Sequence, residues 1–171
     1  MQAAIPATAR RCAPRGAIAL CALLALGVAR PAQAGRFEFS FGRSVTLQHR
    51  WTDVAFAEWI GERRPLWKLA WAPAAALGFV DARGDDPRDR LDRDVWLGVG
   101  GGRLYVWREL YVGFQLAATA GRTDALSTPY EFVSTFGWQG RHWQFMVRHV
   151  SNGDFHKPNH GETLLAAGVA F

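Results

Sequence analysis

From about residue 35 onward, apolar and polar side chains alternate with a period of two, and this pattern restricts the chain to half-buried β-strands. Phe37, Phe39 and Phe41 alternate with Glu38 and Ser40. Trp143, Phe145 and Val147 alternate with His142, Gln144, Met146 and Arg148. The last segment puts Thr163, Leu165, Ala167, Val169 and Phe171 on one face, and Leu164, Ala166, Gly168 and Ala170 on the other. No apolar stretch after Gly35 is long enough for a membrane helix, which needs about 18–20 residues. Turn signals divide the chain into eight expected strands, at about 36–42, 44–56, 65–80, 93–107, 109–121, 129–139, 141–152 and 162–171. Residues 52–64 are also compatible with a loop or a helical turn. The charged, Pro- and Gly-containing stretch 81–90 reads as a solvated loop, whereas Arg108-Glu109 and Gln139-Gly140-Arg141 read as short turns.

The first 34 residues follow different rules. Arg10, Arg11 and Arg15 precede an apolar run from Ala17 to Ala29, and Ala32-Gln33-Ala34 follows. This order is that of a cleaved secretory signal peptide, so residues 1–34 are set apart and 35–171 are expected to form a single domain. Both cysteines, Cys12 and Cys21, fall in the leader, which leaves an exported chain that forms no disulfide. The formal net charge of +5 also owes most to the leader, where Arg10, Arg11, Arg15 and Arg30 meet no acid. The remainder is close to neutral, and a nucleic-acid partner is not expected.

A cysteine-free exported chain of alternating strands with long charged loops and short turns describes an all-β, eight-stranded antiparallel transmembrane β-barrel of the outer membrane. The eight tryptophans recur near the expected strand ends, as in the aromatic girdles of membrane barrels. A soluble β-sandwich with a Trp-rich core is the alternative. Phe171 ends the last alternating strand, like the terminal aromatic of outer-membrane barrels. Gly98, Gly100, Gly113 and Gly168 are expected to face the crowded lumen of so small a barrel.

The segment from Arg148 to Glu162 carries the candidate chemistry. His149 and Ser151 lie two residues apart on one strand and so share a face with Trp143, Phe145 and Val147. An apolar, lipid-facing stripe that ends in His and Ser suits catalysis on an acyl substrate lying in the bilayer. Serine needs a base to become a nucleophile, and His149 is that candidate. A carboxylate should hold the imidazole, and both Glu162 and Asp154 are within reach. The Asn152 side chain and the backbone N–H groups around Asn152-Gly153 are candidate oxyanion donors. The same segment holds His156 and His160, but no recognised metal-ligand spacing; neither a metal nor another cofactor is expected.

The run His149-x-Ser151-Asn152-Gly153, followed by Pro158-Asn159-x-Gly161 and a C-terminal strand, resembles the PagL-type lipid A 3-O-deacylase family. The resemblance implies an eight-stranded outer-membrane barrel that hydrolyses the ester at the 3 position of lipid A and releases a 3-hydroxy fatty acid. It implies Ser151 as nucleophile, His149 as base, Asn152 and Gly153 at the oxyanion hole, and Asn159 and Gly161 in the loop that shapes the site. Two positions depart from the family pattern. The family's Glu stands two residues after the loop glycine, where this chain has Thr163; Glu162 lies one residue earlier and, on a regular strand, on the opposite face, so Glu162 is the expected triad acid through a later strand start or a bulge, with Asp154 second. An acid that supports the site upstream is replaced by Ser134.

The partners this reading implies are lipid A (lipopolysaccharide) and the outer-membrane bilayer, with Arg148, Lys157 and Arg122 available to lipid phosphates. A homodimer through an apolar barrel face is one mode of assembly. Two other functions are compatible with the same chain: a non-catalytic barrel for structure, binding or adhesion, and an acyltransferase that passes the acyl group to a second lipid.

Overall fold

The computed structural model describes residues 35–84 and 90–171. The expected signal peptide at 1–34 lies outside the described residues. Nine strands form one antiparallel sheet: β1 Arg36–Val45, β2 Trp51–Ile60, β3 Arg64–Leu66, β4 Leu69–Val80, β5 Val95–Trp107, β6 Leu110–Ala120, β7 Tyr130–Gln139, β8 Trp143–Ser151 and β9 Glu162–Ala170. Each long strand pairs with its neighbours, β1 pairs with β9, and β2 pairs with β4, which closes an eight-stranded barrel. The three-residue β3 is a short hairpin arm on β4. No helix among the described residues is long and apolar enough to cross a membrane.

The six expected strands from residue 65 onward coincide with β4–β9 to within a few residues. The first two do not. The chain turns at 46–50, not at residue 43, and 52–60 is strand, not loop or helical turn. The turn contains neither Gly nor Pro. It closes through the His49 N–H to the Thr46 carbonyl at 2.9 Å, with His49 itself in the left-handed region at φ 59°. Small alanines at 55 and 57 also weaken the alternation of β2 to the eye, although Val54, Phe56 and Ile60 all point inward.

The two faces of the sheet have opposite chemistry. Glu38, Ser40 and Ser44 of β1 face the lumen, as do Glu58, Arg103, Gln115, Gln144 and Arg148 of other strands, all buried. Arg103 bridges Glu38 at 2.8 Å and Glu58 at 2.9 Å, and Arg148 meets Glu58 at 3.0 Å. Two guanidiniums and two carboxylates thus neutralise one another where no solvent enters, as buried charge requires. Arg148 is therefore not at the rim: its strand parity turns it inward, and it also donates to Thr135 Oγ1 at 2.9 Å. Nearer the long loops the lumen is filled by apolar side chains, among them Phe56, Val80, Leu97, Leu126, Val133 and Leu164.

The outside is apolar. None of the eight tryptophans enters the lumen, which overturns the Trp-cored sandwich. Trp51 and Trp96 lie at the end that carries the loops 46–50, 121–129 and 152–161 and the segments 81–84 and 90–94. The other six lie toward the end with the short turns, where Phe37 and Phe171 also exchange backbone hydrogen bonds. An apolar belt of 9- to 13-residue strands outside a polar, closed interior is the arrangement of a barrel that crosses a bilayer. Gly113 and Gly168 face the lumen as expected, but Gly98 and Gly100 share the parity of Trp96 and lie on the exposed outer face.

Candidate active site

Strand β8 presents Trp143, Phe145, Val147 and His149 outward, all exposed, and ends with half-exposed Ser151 on the same face. The registers of β7 and β9 continue this stripe sideways. One row is apolar: Phe136, Val147 and Leu165. The next row toward the long loops is polar: Ser134, His149 and Thr163. Ser151 lies beyond it, opposite Phe132. The outer face thus changes from hydrocarbon-like to polar within one pair of residues, at the long-loop end of the barrel.

His149 is held in two ways. Its Nδ1 is 2.9 Å from the Thr163 hydroxyl. Gly161 lies under the ring: a Cβ there would stand 3.0 Å from Cε1 and 3.4 Å from Nε2, and its φ of +60° also favours glycine. With Nδ1 facing Thr163, Nε2 is the nitrogen left for Ser151. The two residues are about 7 Å apart along the strand, a gap their side chains must span. Among the described residues, Ser151 makes no hydrogen bond to His149.

The expected acid is not in place. Glu162 pairs with Val150 in register and shares its inward face, so its side chain is fully buried in the lumen. There it receives Arg83 Nη2 at 2.6 Å and the Ser44 hydroxyl at 2.5 Å. The strand carries no bulge that would turn it outward, and Thr163 takes the position beside His149. Asp154 does not substitute for it. It sits exposed in the β8–β9 loop at φ 70°, bound by Lys157 Nζ at 2.7 Å and by Asn159 Nδ2 at 3.5 Å. The bond from Lys157 holds its carboxyl below the ordinary aspartate range. No carboxylate contacts His149 among the described residues.

Asn152 differs from its expected role as well. Fully buried, it donates from Nδ2 to Ser127 Oγ at 3.2 Å and to the His156 carbonyl at 3.0 Å, and it accepts the Asp154 N–H at 3.0 Å. Both amide hydrogens are engaged, one inside the loop and one on the neighbouring β6–β7 loop, so the side chain organises the turn and is not a free oxyanion donor. The Asn152 N–H goes to Asn159 Oδ1 at 3.4 Å. That leaves the N–H of Gly153, exposed at φ +66°, as the donor beside Ser151 with no partner among the described residues. Asn159 staples the loop from both ends of its amide. The loop is further tied to its neighbour by the His160 and Gly161 N–H groups, which donate to the Asp124 and Ala125 carbonyls at 3.2 and 3.1 Å.

Two features were not found from the sequence. Phe132, beside Ser151, contacts Phe114 on one side and Phe155 on the other, each with ring centroids 6.1 Å apart. This aromatic row runs from the barrel wall into the site loop. The second is a cleft of about 780 Å³ at the long-loop end, bounded by residues 90–93, 122–130 and 156–158. Arg122 and Lys157, read as rim cations, do line it. No three of His, Cys, Asp and Glu converge into a metal-holding group among the described residues.

No protein-family model matches the chain, and no curated protein matches it. Among solved structures, the outer membrane enzyme PagL superposes with a TM-score of 0.52 at 13% identity, over 80% of this chain and 98% of that one. Ail, the attachment invasion locus protein of Yersinia pestis, superposes with a TM-score of 0.46 at 9% identity, over 81% and 99%. The likeness to PagL is one of fold.

Proposed function

We propose that this chain is exported to the outer membrane and acts there as a serine esterase on lipid A, hydrolysing the 3-O-linked acyl chain and releasing a 3-hydroxy fatty acid. The observation that carries the reading is the His149–Ser151 pair, which ends an apolar, lipid-facing stripe with Gly161 beneath the imidazole. The sequence motif around it and a fold shared with an outer membrane enzyme support the same reading.

In this mechanism, rotation of the two side chains brings the Ser151 hydroxyl to His149 Nε2. His149 takes the proton as Ser151 Oγ attacks the ester carbonyl. The oxyanion meets the Gly153 N–H. Collapse breaks the acyl–oxygen bond, and His149 returns the proton to the departing sugar oxygen. Water, deprotonated by His149, then attacks the acyl carbon; the bond to Ser151 Oγ breaks, His149 returns the proton to Oγ, and the fatty acid leaves. The Thr163 hydroxyl accepts a hydrogen bond from Nδ1–H and so selects the tautomer whose Nε2 is basic. Being neutral, it does not stabilise the imidazolium as a carboxylate would. The Phe114–Phe132–Phe155 row offers the acyl chain an apolar wall beside the nucleophile.

That no carboxylate among the described residues meets His149 favours one second reading, a barrel that binds lipid at this surface without cleaving it. Mass spectrometry of lipid A from outer membranes carrying the wild type or Ser151→Ala separates the two. Loss of one 3-hydroxyacyl chain with the wild type alone supports the esterase. An unchanged mass with both, each barrel being folded, supports binding without cleavage. The appearance of that acyl group on a second lipid identifies an acyltransferase.

A further inference from the structure

The cleft at the long-loop end has a composition that the ester chemistry does not use. Among the described residues its walls carry four cations, Arg90, Arg93, Arg122 and Lys157, against two carboxylates, Asp92 and Asp124. Lys157 is held by Asp154 at 2.7 Å. Among the described residues, Arg90, Arg93 and Arg122 have no ion-pair partner, although two different loops, β4–β5 and β6–β7, draw all three to one concavity. Concentrating unpaired guanidiniums in this way raises the local potential and calls for an anion.

The walls are built, not draped. The Thr123 hydroxyl accepts the Leu126 N–H at 3.2 Å, and Thr128 is bound through both its N–H and its hydroxyl to Glu131, at 3.1 and 3.0 Å. The cleft also adjoins the nucleophile. Ser127 in its wall is the acceptor of Asn152 Nδ2, one residue from Ser151, and Tyr130 lies one outward position from Phe132. A ligand with an anionic group in the cleft would therefore have its body above Ser151 and its apolar part along the barrel wall.

We propose that this cleft is a phosphate-binding subsite, in which Arg93 and Arg122 grip a phosphomonoester of the lipid head group while its acyl chain lies at Ser151. The inference rests on the esterase reading for the identity of the lipid, but the phosphate site itself does not. Guanidiniums suit this role because their paired N–H groups match two phosphate oxygens.

The test uses the full barrel in detergent micelles with Ser151→Ala, so that lipid is bound and not consumed. Its affinity is measured for lipid A carrying its phosphates and for the same lipid A after phosphatase treatment. The expected result is about tenfold tighter binding of the phosphorylated lipid, equivalent to ~1.4 kcal/mol. Adding Arg93→Ala and Arg122→Ala should remove that preference and leave the dephosphorylated lipid bound as before. Equal binding of the two lipids, or a preference that survives both arginine replacements in a folded barrel, overturns the proposal. Inorganic phosphate as competitor separates the sources. Displacement of lipid A by phosphate alone makes the free anion a sufficient ligand. No displacement with the preference intact makes the site specific to phosphate on the lipid; both uphold the subsite. Hydrolysis by the wild type is scored separately. Arginine-dependent phosphate preference without ester cleavage removes the esterase and keeps the cleft, whereas cleavage without phosphate preference does the reverse.

Discussion

At the scale of single residues, the site turns on a one-position difference between Glu162 and Thr163. Strand geometry sends adjacent side chains to opposite faces, so Glu162 neutralises Arg83 in the lumen while Thr163 meets His149 outside. Glu162→Gln should therefore leave hydrolysis of lipid A within about twofold of wild type, whereas loss of a true triad acid costs about 10⁴-fold; single-turnover rates decide between the two. Thr163→Glu puts a carboxylate on the correct face beside Nδ1. It should raise kcat by about tenfold or more, since a charged partner stabilises the imidazolium that a hydroxyl cannot. An unchanged or lower kcat in the folded variant would mean that Thr163 does not orient the base.

At the scale of the element, the β8–β9 loop is a structure in its own right, organised around Asn152. Its side chain satisfies three partners from the buried side of the loop, and Asn159 closes the other side. Asn152→Ala removes those bonds together, at about 1 kcal/mol each. The expected outcome is rapid proteolytic cleavage within 152–161 and loss of activity, with the barrel still folded by its electrophoretic mobility. The strand that feeds this loop was legible from its alternation, and so were the faces of His149, Ser151 and Glu162. The turn at 46–50 was not, because His49 reaches the left-handed region without the Gly or Asn that usually marks it. Gly98 and Gly100 share the parity of Trp96, so their outward placement could have been read from the pattern.

At the scale of the whole molecule, closure of the barrel is what makes the charged lumen tolerable. Arg103 and Arg148 converge on Glu58 from β5 and β8, strands that meet only across the interior. Glu58→Ala leaves two buried guanidiniums short of a partner and should destabilise the barrel by about 3–5 kcal/mol, read as a lower urea midpoint in detergent. The proposed site lies on the outer wall, away from this buried charge cluster, so replacing a lumen residue bears on stability and leaves the candidate residues in place.

Local sequence alone determined the six long strands from β4 onward and the faces of His149, Ser151 and Glu162 on the last two, because the period-two geometry of a strand depends only on the chain itself. The loop segment 152–161 was marked out in the same way, by its turn residues and its cluster of polar side chains. Only the tertiary structure decided who meets whom across strands: Thr163 on His149, Phe132 between Phe114 and Phe155, Arg148 on Glu58, and three loops around one cationic cleft. Those contacts depend on register and on closure of β2 against β4, which are settled by the packing of side chains far apart in the chain.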